Sequence, residues 1–258
     1  MPLSGDRPGV LPSSTEKAAA VRGMFSAIAP RYDLLNHLLS LNIDKRWRRR
    51  AADLLLARND AGGRYLDACA GTMDLAVEIA GRPTFSGNVV ASDFALPMLT
   101  AGAHKISHHA INAVSADALR LPFDDGLFSG AIVGFGVRNL VSVEDGVREL
   151  TRVLRSGGRL VILEFTTPQW QPFRALYLLY FKRILPLIGN LVSRHGTAYS
   201  YLPASVLEFP EPAVLATIME AVGLEDVKWQ TLTGGIVAIH YGVKGEGEGE
   251  GEGEEMPG

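Results

Sequence analysis

Three acidic residues spaced along the first half of the chain are its clearest candidates for binding a ligand. Asp67, Asp93 and Asp117 each end a short apolar run, and 26 and then 24 residues separate them. A carboxylate at the second position can accept hydrogen bonds from both hydroxyls of a ribose, and one at the third suits an adenine amino group. Each acid alone could be a turn or helix cap, but three at successive strand ends favour a nucleoside ligand.

The residues that follow Asp67 make up a tight loop of small side chains, which reads DACAGTMDLA over 67–76. Small residues let the backbone approach a ligand closely, and the helical pattern that follows offers free N–H groups at its start. The loop lacks G-x-G-x-x-G, which points away from NAD, and no P-loop lysine follows Gly71. The pattern therefore favours S-adenosylmethionine, a nucleoside ligand without a phosphate.

A fourth polar segment reads GFGVRN over 134–139 and leaves another strand through two glycines. Because ligands of parallel sheets bind at the carboxyl ends of the strands, we expect Gly134 and Ala118 to face the same cleft as the acids. The segment also presents Arg138, a fixed cation, and Asn139, an amide. A structural turn held by Asn139 is the alternative interpretation.

Strand-like and helix-like segments alternate through the middle of the chain and position these residues. Strand patterns cover 64–68, 88–92, 113–116, 130–134, 159–164, 226–232 and 236–241, and helical patterns cover 75–80, 97–104, 143–154 and 212–222. This alternation predicts an α/β fold with a doubly wound, mostly parallel seven-stranded sheet. Only three residues separate the last two strands, so we expect a C-terminal antiparallel hairpin at the sheet edge. Such a sheet is typical of Rossmann-like class I methyltransferases that depend on S-adenosylmethionine.

Composition sets limits on the remaining function classes. The 258 residues are 47% hydrophobic and 21% charged; six glutamates after residue 244 dominate the net charge of −3, so the rest carries +3 and presents no field for nucleic acid. A single cysteine, Cys69, excludes an internal disulfide and indicates a reducing, cytoplasmic compartment. The first residues contain no apolar signal segment, and the six histidines form no set with other ligands, so we expect no metal site.

Shifts in composition divide the chain into one domain and two tails. Residues 1–15 are rich in Pro, Gly and Ser and predict a flexible arm, whereas the Gly-Glu repeat of 245–258 predicts a disordered tail. The methyltransferase domain is expected over 16–244, with a helical cap at 16–57 and an apolar, lid-like insertion at 170–200.

Two separated motifs resemble those of the UbiE/MenG family of quinone C-methyltransferases. Residues 25–47 read FSAIAPRYDLLNHLLSLNIDKRW, similar to the family's Y-D-x-M-N-x-x-x-S-x-x-x-H-x-x-W, with Leu35 in place of Met and Asp44 in place of His. Residues 152–166 read RVLRSGGRLVILEFT and are similar to the second motif, with Ser156 in place of Pro and Thr166 in place of Ser. The resemblance covers residues 18–242.

The resemblance implies transfer of a methyl group from S-adenosylmethionine to a ring carbon of a prenylated, lipophilic quinol. Menaquinol made from demethylmenaquinol is the expected product, and a methylated ubiquinol precursor is the alternative. In the D-x-G-x-G-x-G loop of methyltransferases, Asp67 and Gly71 match, whereas Cys69 and Met73 replace glycines. Thr72 and the Gly71 backbone are then expected to contact the methionine part of the cofactor, and Met73 is expected to have a negative φ.

A quinol carbon becomes a good nucleophile only when a ring hydroxyl loses its proton, so a cation or donor beside that oxygen assists the reaction. Arg138 and Asn139 are the first candidates for this role. Tyr32 is the second, as a phenol that bonds the quinol or packs over the cofactor; a half-buried packing tyrosine is the alternative. Glu164 either lines the pocket or ends its strand.

The segment WQPFRALYLLYFKRILPLIGNL at 170–191 is apolar and aromatic, but charges interrupt it too often for a membrane span. It predicts either a helix that covers the sheet or an amphipathic lid over the prenyl tail. The basic run KRWRRR at 45–50 could contact the same membrane surface, although a solvated helix face is the common outcome. We therefore expect peripheral membrane contact as one property of the chain.

Two further functions stay open at this level. A methyltransferase acting on another small phenol or a sterol would need neither the first motif nor the apolar segment. A cofactor-binding scaffold without catalysis is supported only by the altered loop at 69–73. The oligomeric state is open as well, with a homodimer among the expectations.

Overall fold

A single seven-stranded sheet runs through the computed structural model, which describes residues 14–57, 62–180, 183 and 196–246. The strands are β1 (Arg64–Ala68), β2 (Asn88–Asp93), β3 (Ile111–Ser115), β4 (Phe128–Gly134), β5 (Leu154–Phe165), β6 (Leu224–Leu232) and β7 (Val237–Lys244). Their spatial order is β3-β2-β1-β4-β5-β7-β6. Strands β1 to β5 pair in parallel, and β7 runs antiparallel to both β5 and β6. The predicted class of fold is confirmed, including the hairpin with β6 at the edge.

Helices cover both faces of the sheet and its carboxyl edge. In the described residues they are α1 (Ser14–Ile28), α2 (Tyr32–Leu39), α3 (Asp44–Leu56), α4 (Asp74–Ala80), α5 (Leu96–Gly102), α6 (Val143–Arg152), α7 (Gln171–Leu179), α8 (Gly196–Glu208) and α9 (Pro212–Ala221). Short 3-10 turns lie at Ala29–Arg31, Ala103–Lys105, Val137–Asn139 and Thr233–Gly235. No helix of the described ranges is long and apolar enough to cross a membrane.

Apolar side chains fill both faces of the sheet, as a parallel sheet requires. In β4, Ile132 joins the cluster on one face with α3 and α4, whereas its neighbours Ala131 and Val133 join the other with α6 and α9. Successive side chains of a strand point to opposite faces, so an uninterrupted apolar run is buried on both sides. The two clusters make the sheet a rigid base for the loops at its carboxyl edge.

The predicted boundaries need correction around the fifth strand. It begins at Leu154 rather than at 159, and α6 ends at Arg152 rather than at 154. Leu154 pairs with Phe128, and the register then shifts before Gly130 pairs with Arg159. Gly157 has a φ of +73° at this irregularity and interrupts the alternation of side chains, so the sequence pattern does not reveal the first residues of the strand.

The tails and the insertion are described only in part. Helix α1 begins at Ser14, inside the predicted arm of 1–15. The remaining parts of these predictions, residues 1–13 of the arm, 181–182 and 184–195 of the insertion and 247–258 of the tail, lie outside the described residues.

The predicted cap packs against the insertion and the C-terminal hairpin. Ile28 of α1, Tyr177 of α7 and Val206 of α8 form one apolar cluster. From α3, the Trp47 indole Nε1 donates a hydrogen bond of 2.8 Å to Thr233 Oγ1 in the turn between β6 and β7. The cap is therefore held by the last hairpin of the sheet as well as by the insertion.

Candidate functional site

One pocket lies at the carboxyl ends of β1, β2, β3 and β4, with α1 and α2 as its outer wall. Residues of all four strand-end loops line it, and seven of the lining residues belong to the predicted site: Tyr32, Gly71, Asp93, Asp117, Ala118, Gly134 and Asn139. Apolar side chains complete the wall, among them Phe25, Phe94, Met98, Leu140 and Val141. The successive strand ends thus meet around one pocket, and the binding of a ligand by these residues stays a prediction.

The loop after β1 has a left-handed backbone at every second residue. The φ angles are +53° at Cys69, +55° at Gly71 and +67° at Met73, so the expected negative φ at Met73 is wrong. Met73 N–H donates to Ala70 O at 2.8 Å, which closes a tight turn, and the Met73 side chain is fully buried in the core. Burial of that side chain and the turn bond together offset the cost of about 1–2 kcal/mol that a left-handed residue with a Cβ carries.

Asp93 of β2 holds the pocket side of this loop. Its Oδ2 accepts from Gly71 N–H at 2.9 Å, and its Oδ1 accepts from Ala95 N–H at 2.8 Å. Burial raises the pKa of Asp93, and the two N–H donors act in the opposite direction. A carboxylate has about four acceptor positions, so two remain for the two hydroxyls of a ribose.

Asp67 lies beneath the loop rather than in the pocket wall. It is 1% exposed, and its Oδ2 accepts from Ala76 N–H at 2.9 Å in the first turns of α4. Its Oδ1 is buried without a hydrogen-bond partner among the described residues. Burial raises the pKa of Asp67 to about 8, so the carboxyl is largely protonated in this state. Its place in the structure is that of a support for the loop, and its predicted contact with the cofactor stays a prediction.

The third and fourth loops supply the far side of the pocket. Asp117 Oδ1 accepts from Leu119 N–H at 2.9 Å, which shapes the turn that carries Ala118 into the lining. A Cβ at Gly134 would lie 2.5 Å from Leu75 Cδ1, so a larger residue where β4 leaves the sheet would require the Leu75 side chain to move. The two loops thereby bring Ala118 and Gly134 into the pocket lining.

Thr72 points toward the cap instead of the pocket. Its hydroxyl donates a hydrogen bond of 2.5 Å to Asp33 Oδ1 in α2, and the residue is 3% exposed. The loop and the cap are thereby joined directly. The predicted contact of Thr72 with the methionine part of the cofactor stays a prediction, and its hydroxyl already has this partner.

Arg138 is buried beside Glu164 at the end of β5. Its guanidinium Nη1 lies 2.7 Å from Glu164 Oε1 and also contacts Phe135 O, while the cation sits 5.5 Å from the centre of the Phe165 ring. Burial raises the pKa of Glu164, against the effect of Arg138. Arg138 Nε and Asn139 Oδ1 are buried without a hydrogen-bond partner among the described residues. Glu164 therefore positions the predicted cation; Asn139 lines the pocket, whereas Arg138 is not among the residues that line it.

Tyr32 forms part of the pocket wall opposite the loop. A Cβ built on Gly71 would lie 3.8 Å from Tyr32 Cε1, and the Tyr32 ring meets Phe25 edge to face at 6.0 Å. Burial raises the pKa of Tyr32, and a hydrogen bond with Asn36 opposes that effect. The phenol consequently stays protonated at neutral pH and can donate a hydrogen bond.

Two cations of α1 that the sequence did not single out fasten the cap to the pocket. Lys17 Nζ donates to Leu140 O at 2.5 Å and to Arg138 O at 3.2 Å, and Arg22 Nε donates to Phe94 O at 2.9 Å. These bonds join residues 121, 123 and 72 positions apart along the chain. A pattern in the sequence has no signal for such contacts, because each ends on a backbone carbonyl.

Comparison with known proteins identifies the family. The profile of the ubiE/COQ5 methyltransferase family matches residues 13–244. The chain belongs to that family. The ubiquinone/menaquinone biosynthesis C-methyltransferase UbiE of Geobacter sp. (strain M21) is 47% identical over 234 residues, 89% of this chain and 98% of that protein. The demethylmenaquinone methyltransferase of Thermus thermophilus is 48% identical over 221 residues, 85% of this chain and 99% of that protein.

As a member of the ubiE/COQ5 family, the chain is a methyltransferase that uses S-adenosylmethionine. A solved S-adenosylmethionine-dependent methyltransferase of Thermotoga maritima, described as a possible histamine N-methyltransferase, has a TM-score of 0.59 and 16% identity. It covers 86% of this chain and 98% of its own, and it supports the fold alone. The pocket residues fit the cofactor, since Asp93 has acceptor positions left for the hydroxyls of a ribose, and Gly71 and Gly134 bring backbone without a side chain to the pocket wall.

Proposed function

We propose that this chain methylates a ring carbon of demethylmenaquinol to give menaquinol. The observation that carries the proposal is that the names of both relatives refer to menaquinone biosynthesis, at 47% and 48% identity over nearly their whole lengths. The largely apolar outer wall of the pocket supports a lipophilic acceptor. The proposal therefore chooses the substrate that the two relatives share.

The bound cofactor supplies an electrophilic methyl group on a sulfonium, and the protein must align a ring carbon with it. Alignment alone contributes effective molarities of about 10⁵ M or more, on the order of 7 kcal/mol. The acceptor hydroxyl is a phenol of pKa ~10, so less than about 1% is ionised at pH 7. Each unit by which the site lowers that pKa supplies about 1.4 kcal/mol.

In this proposal, three side chains assist the loss of this proton. Tyr32 stays protonated and can donate a hydrogen bond to the developing quinolate oxygen. Arg138, held by Glu164, supplies positive charge and an unused Nε donor. Asn139 Oδ1 offers an acceptor in the pocket wall for a hydroxyl that keeps its proton. In this arrangement Tyr32 and Arg138 act as hydrogen-bond donors to one oxygen of the quinol, and Asn139 accepts a hydrogen bond from the hydroxyl at the other.

Transfer of a labelled methyl group tests the proposal. We would incubate the protein with methyl-labelled S-adenosylmethionine and, separately, with demethylmenaquinol or a demethylated ubiquinol precursor. Label is expected in menaquinol, and an Asp93→Asn control should transfer none, because its amide N–H would face a backbone donor. Label in the ubiquinol precursor alone would replace the proposed substrate with the second candidate, which the name of the Geobacter relative also contains.

We further propose that the face carrying the acceptor opens toward a membrane surface. Trp170, Leu176 and Leu179, in and before α7, are 71%, 62% and 57% exposed, and Leu34 and Leu41 of the cap are 63% and 77% exposed. The exposed cations of α3 are Lys45, Arg46, Arg49 and Arg50. Apolar side chains together with cations favour an anionic lipid surface, from which a prenylated quinol would enter.

Flotation with liposomes tests the membrane contact. The protein should float with vesicles containing anionic lipid, and Leu176→Ser with Leu179→Ser should reduce the floated fraction several-fold. The matched control is Val214→Ser on α9, a residue 52% exposed on another part of the surface. Equal flotation of all three proteins, or none by the parent, would contradict this proposal.

Sedimentation of the same proteins without vesicles would measure whether the chain forms the expected homodimer.

A further inference from the structure

A set of charged side chains behind the pocket joins the cap to the loop after β1. Lys105 ends the 3-10 turn that follows α5, and its side chain is 17% exposed. Its Nζ lies 2.5 Å from Asp33 Oδ2 in α2 and 2.6 Å from Asp74 Oδ1 at the start of α4. One ammonium group thus bridges the cap and α4, the helix that follows the cofactor-binding loop.

A second cation extends the same network. Arg48 of α3 lies 3.1 Å from Asp74 Oδ2 and 2.6 Å from Asp44 Oδ2, and Ser40 Oγ donates to Asp44 Oδ1 at 2.5 Å. Asp74 therefore receives one cation from the cap and one from the turn after α5. Three carboxylates and two cations therefore lie close together in this partly buried region.

The network acts on the two walls of the pocket. Asp33 follows Tyr32, which lines the pocket, and its Oδ1 accepts from Thr72, which follows Gly71 on the other wall. A shift of Asp33 would move both Tyr32 and the loop. The network consequently sets the distance between the cap and the loop, although its side chains lie outside the reacting centre.

We propose that Lys105 is a positioning residue that holds the cap closed over the cofactor. The proposal rests on the proposed function only in taking this pocket as the place of methyl transfer. Without Lys105, Asp33 and Asp74 would lose the cation that lies between their oxygens, which are at most about 5 Å apart. Like charges at that separation repel, so α2 would move away from the loop and the pocket would open.

Binding of S-adenosylmethionine by calorimetry tests the role of Lys105. Lys105→Met should raise the Kd about tenfold, Lys105→Arg should stay within threefold, and Asp33→Asn with Lys105→Met should recover part of the loss because it removes the repulsion. The matched control is Arg148→Met, which breaks an exposed pair with Glu144 (2.6 Å) on α6 and should leave the Kd unchanged. In turnover assays, the effect of Lys105→Met should fall on the KM for the cofactor, with kcat at saturation within twofold.

A Kd for Lys105→Met within twofold of the parent, or an equal rise in Arg148→Met, would overturn the proposal. If Lys105→Met does not fold, Asp33→Asn tests the same bridge, since it keeps the acceptor for Thr72 and removes the charge that Lys105 contacts; an unchanged Kd there would also overturn it. Calorimetry needs no acceptor quinol. A protein that binds cofactor as expected but labels no demethylmenaquinol would refute the proposed function and leave the role of Lys105 intact.

Discussion

Substitution of Gly102 by alanine tests how closely α5 packs against the cofactor-binding loop. Gly102 is the last residue of α5, with an ordinary φ of −84°. A Cβ there would lie 2.7 Å from the carbonyl carbon of Thr72 and 2.9 Å from its Cα, and it would also contact the carbonyl oxygen. All three atoms belong to the backbone, so no side-chain rotation can relieve the overlap.

Two opposing effects determine how much Gly102→Ala changes the free energy of unfolding. Overpacking of this kind costs about 1–3 kcal/mol, whereas alanine in place of glycine within a helix gains up to about 1 kcal/mol. The gain is small at the last residue of a helix, so we expect Gly102→Ala to lower the free energy of unfolding by about 1–2 kcal/mol. If the loop moves to relieve the overlap, the Kd for S-adenosylmethionine should rise about tenfold, since 1.4 kcal/mol corresponds to a factor of ten.

Gly23 provides the matched control. It lies within α1, and a Cβ built on it has no neighbour within 4 Å. Gly23→Ala should therefore raise the free energy of unfolding by up to about 1 kcal/mol, the opposite sign for the same chemical change. Urea unfolding and calorimetry on both variants would decide. A Gly102→Ala protein as stable as the parent, with unchanged cofactor affinity, would refute the placement of α5.

Three other predictions concern the buried groups. Arg138→Ala should lower the free energy of unfolding by roughly 3–5 kcal/mol, because it leaves Glu164 buried without its charged partner. The folded variant should bind the cofactor normally but turn over at least tenfold more slowly. Normal turnover would remove Arg138 from the mechanism. Burial lowers the pKa of His240 to about 4. Between about pH 6.5 and pH 4 only the unfolded chain takes up a proton at this residue, so the free energy of unfolding should fall as the pH drops through this range. In urea unfolding measured against pH, His240→Gln should make that decrease smaller. Met73→Gly removes the cost of a left-handed backbone at a residue with a Cβ, about 1–2 kcal/mol, but it also removes a buried side chain that contributes about 2–5 kcal/mol to stability. We therefore expect urea unfolding to show a lower free energy of unfolding for this variant. A variant more stable than the parent would contradict the prediction.

Much of the fold could be predicted because local signals and global topology agree. The alternation of strands and helices and the three-residue turn before β7 indicated the sheet, and the acids at its strand ends indicated the pocket. The early start of β5 was missed, because Gly157 breaks the periodicity where Leu154 is already paired. Periodicity detects regular pairing and has no means of detecting a shifted register.

The candidate site was harder to predict where side chains act across long separations. The pattern showed that Cys69 and Met73 replace glycines, but it could not show that both keep the glycine-like backbone, because packing around Met73 decides that. Likewise, Arg138 was expected from its position beside the cleft, whereas its burial against Glu164 depends on a contact 26 residues along the chain. Lys17, Arg22 and Lys105 carry no local signal at all.

The bond from Trp47 to Thr233 has a consequence for synthesis of the chain. Its two partners are 186 residues apart, and only β7 follows the turn that holds Thr233 among the described strands and helices. At about 5–20 residues per second, the ribosome adds those residues roughly 10–40 s after Trp47 has been made. Throughout that interval the nascent cap lacks one of its attachments, with apolar residues destined for the pocket still accessible, so nascent chains stalled before Thr233 should depend on chaperones more than released chains do.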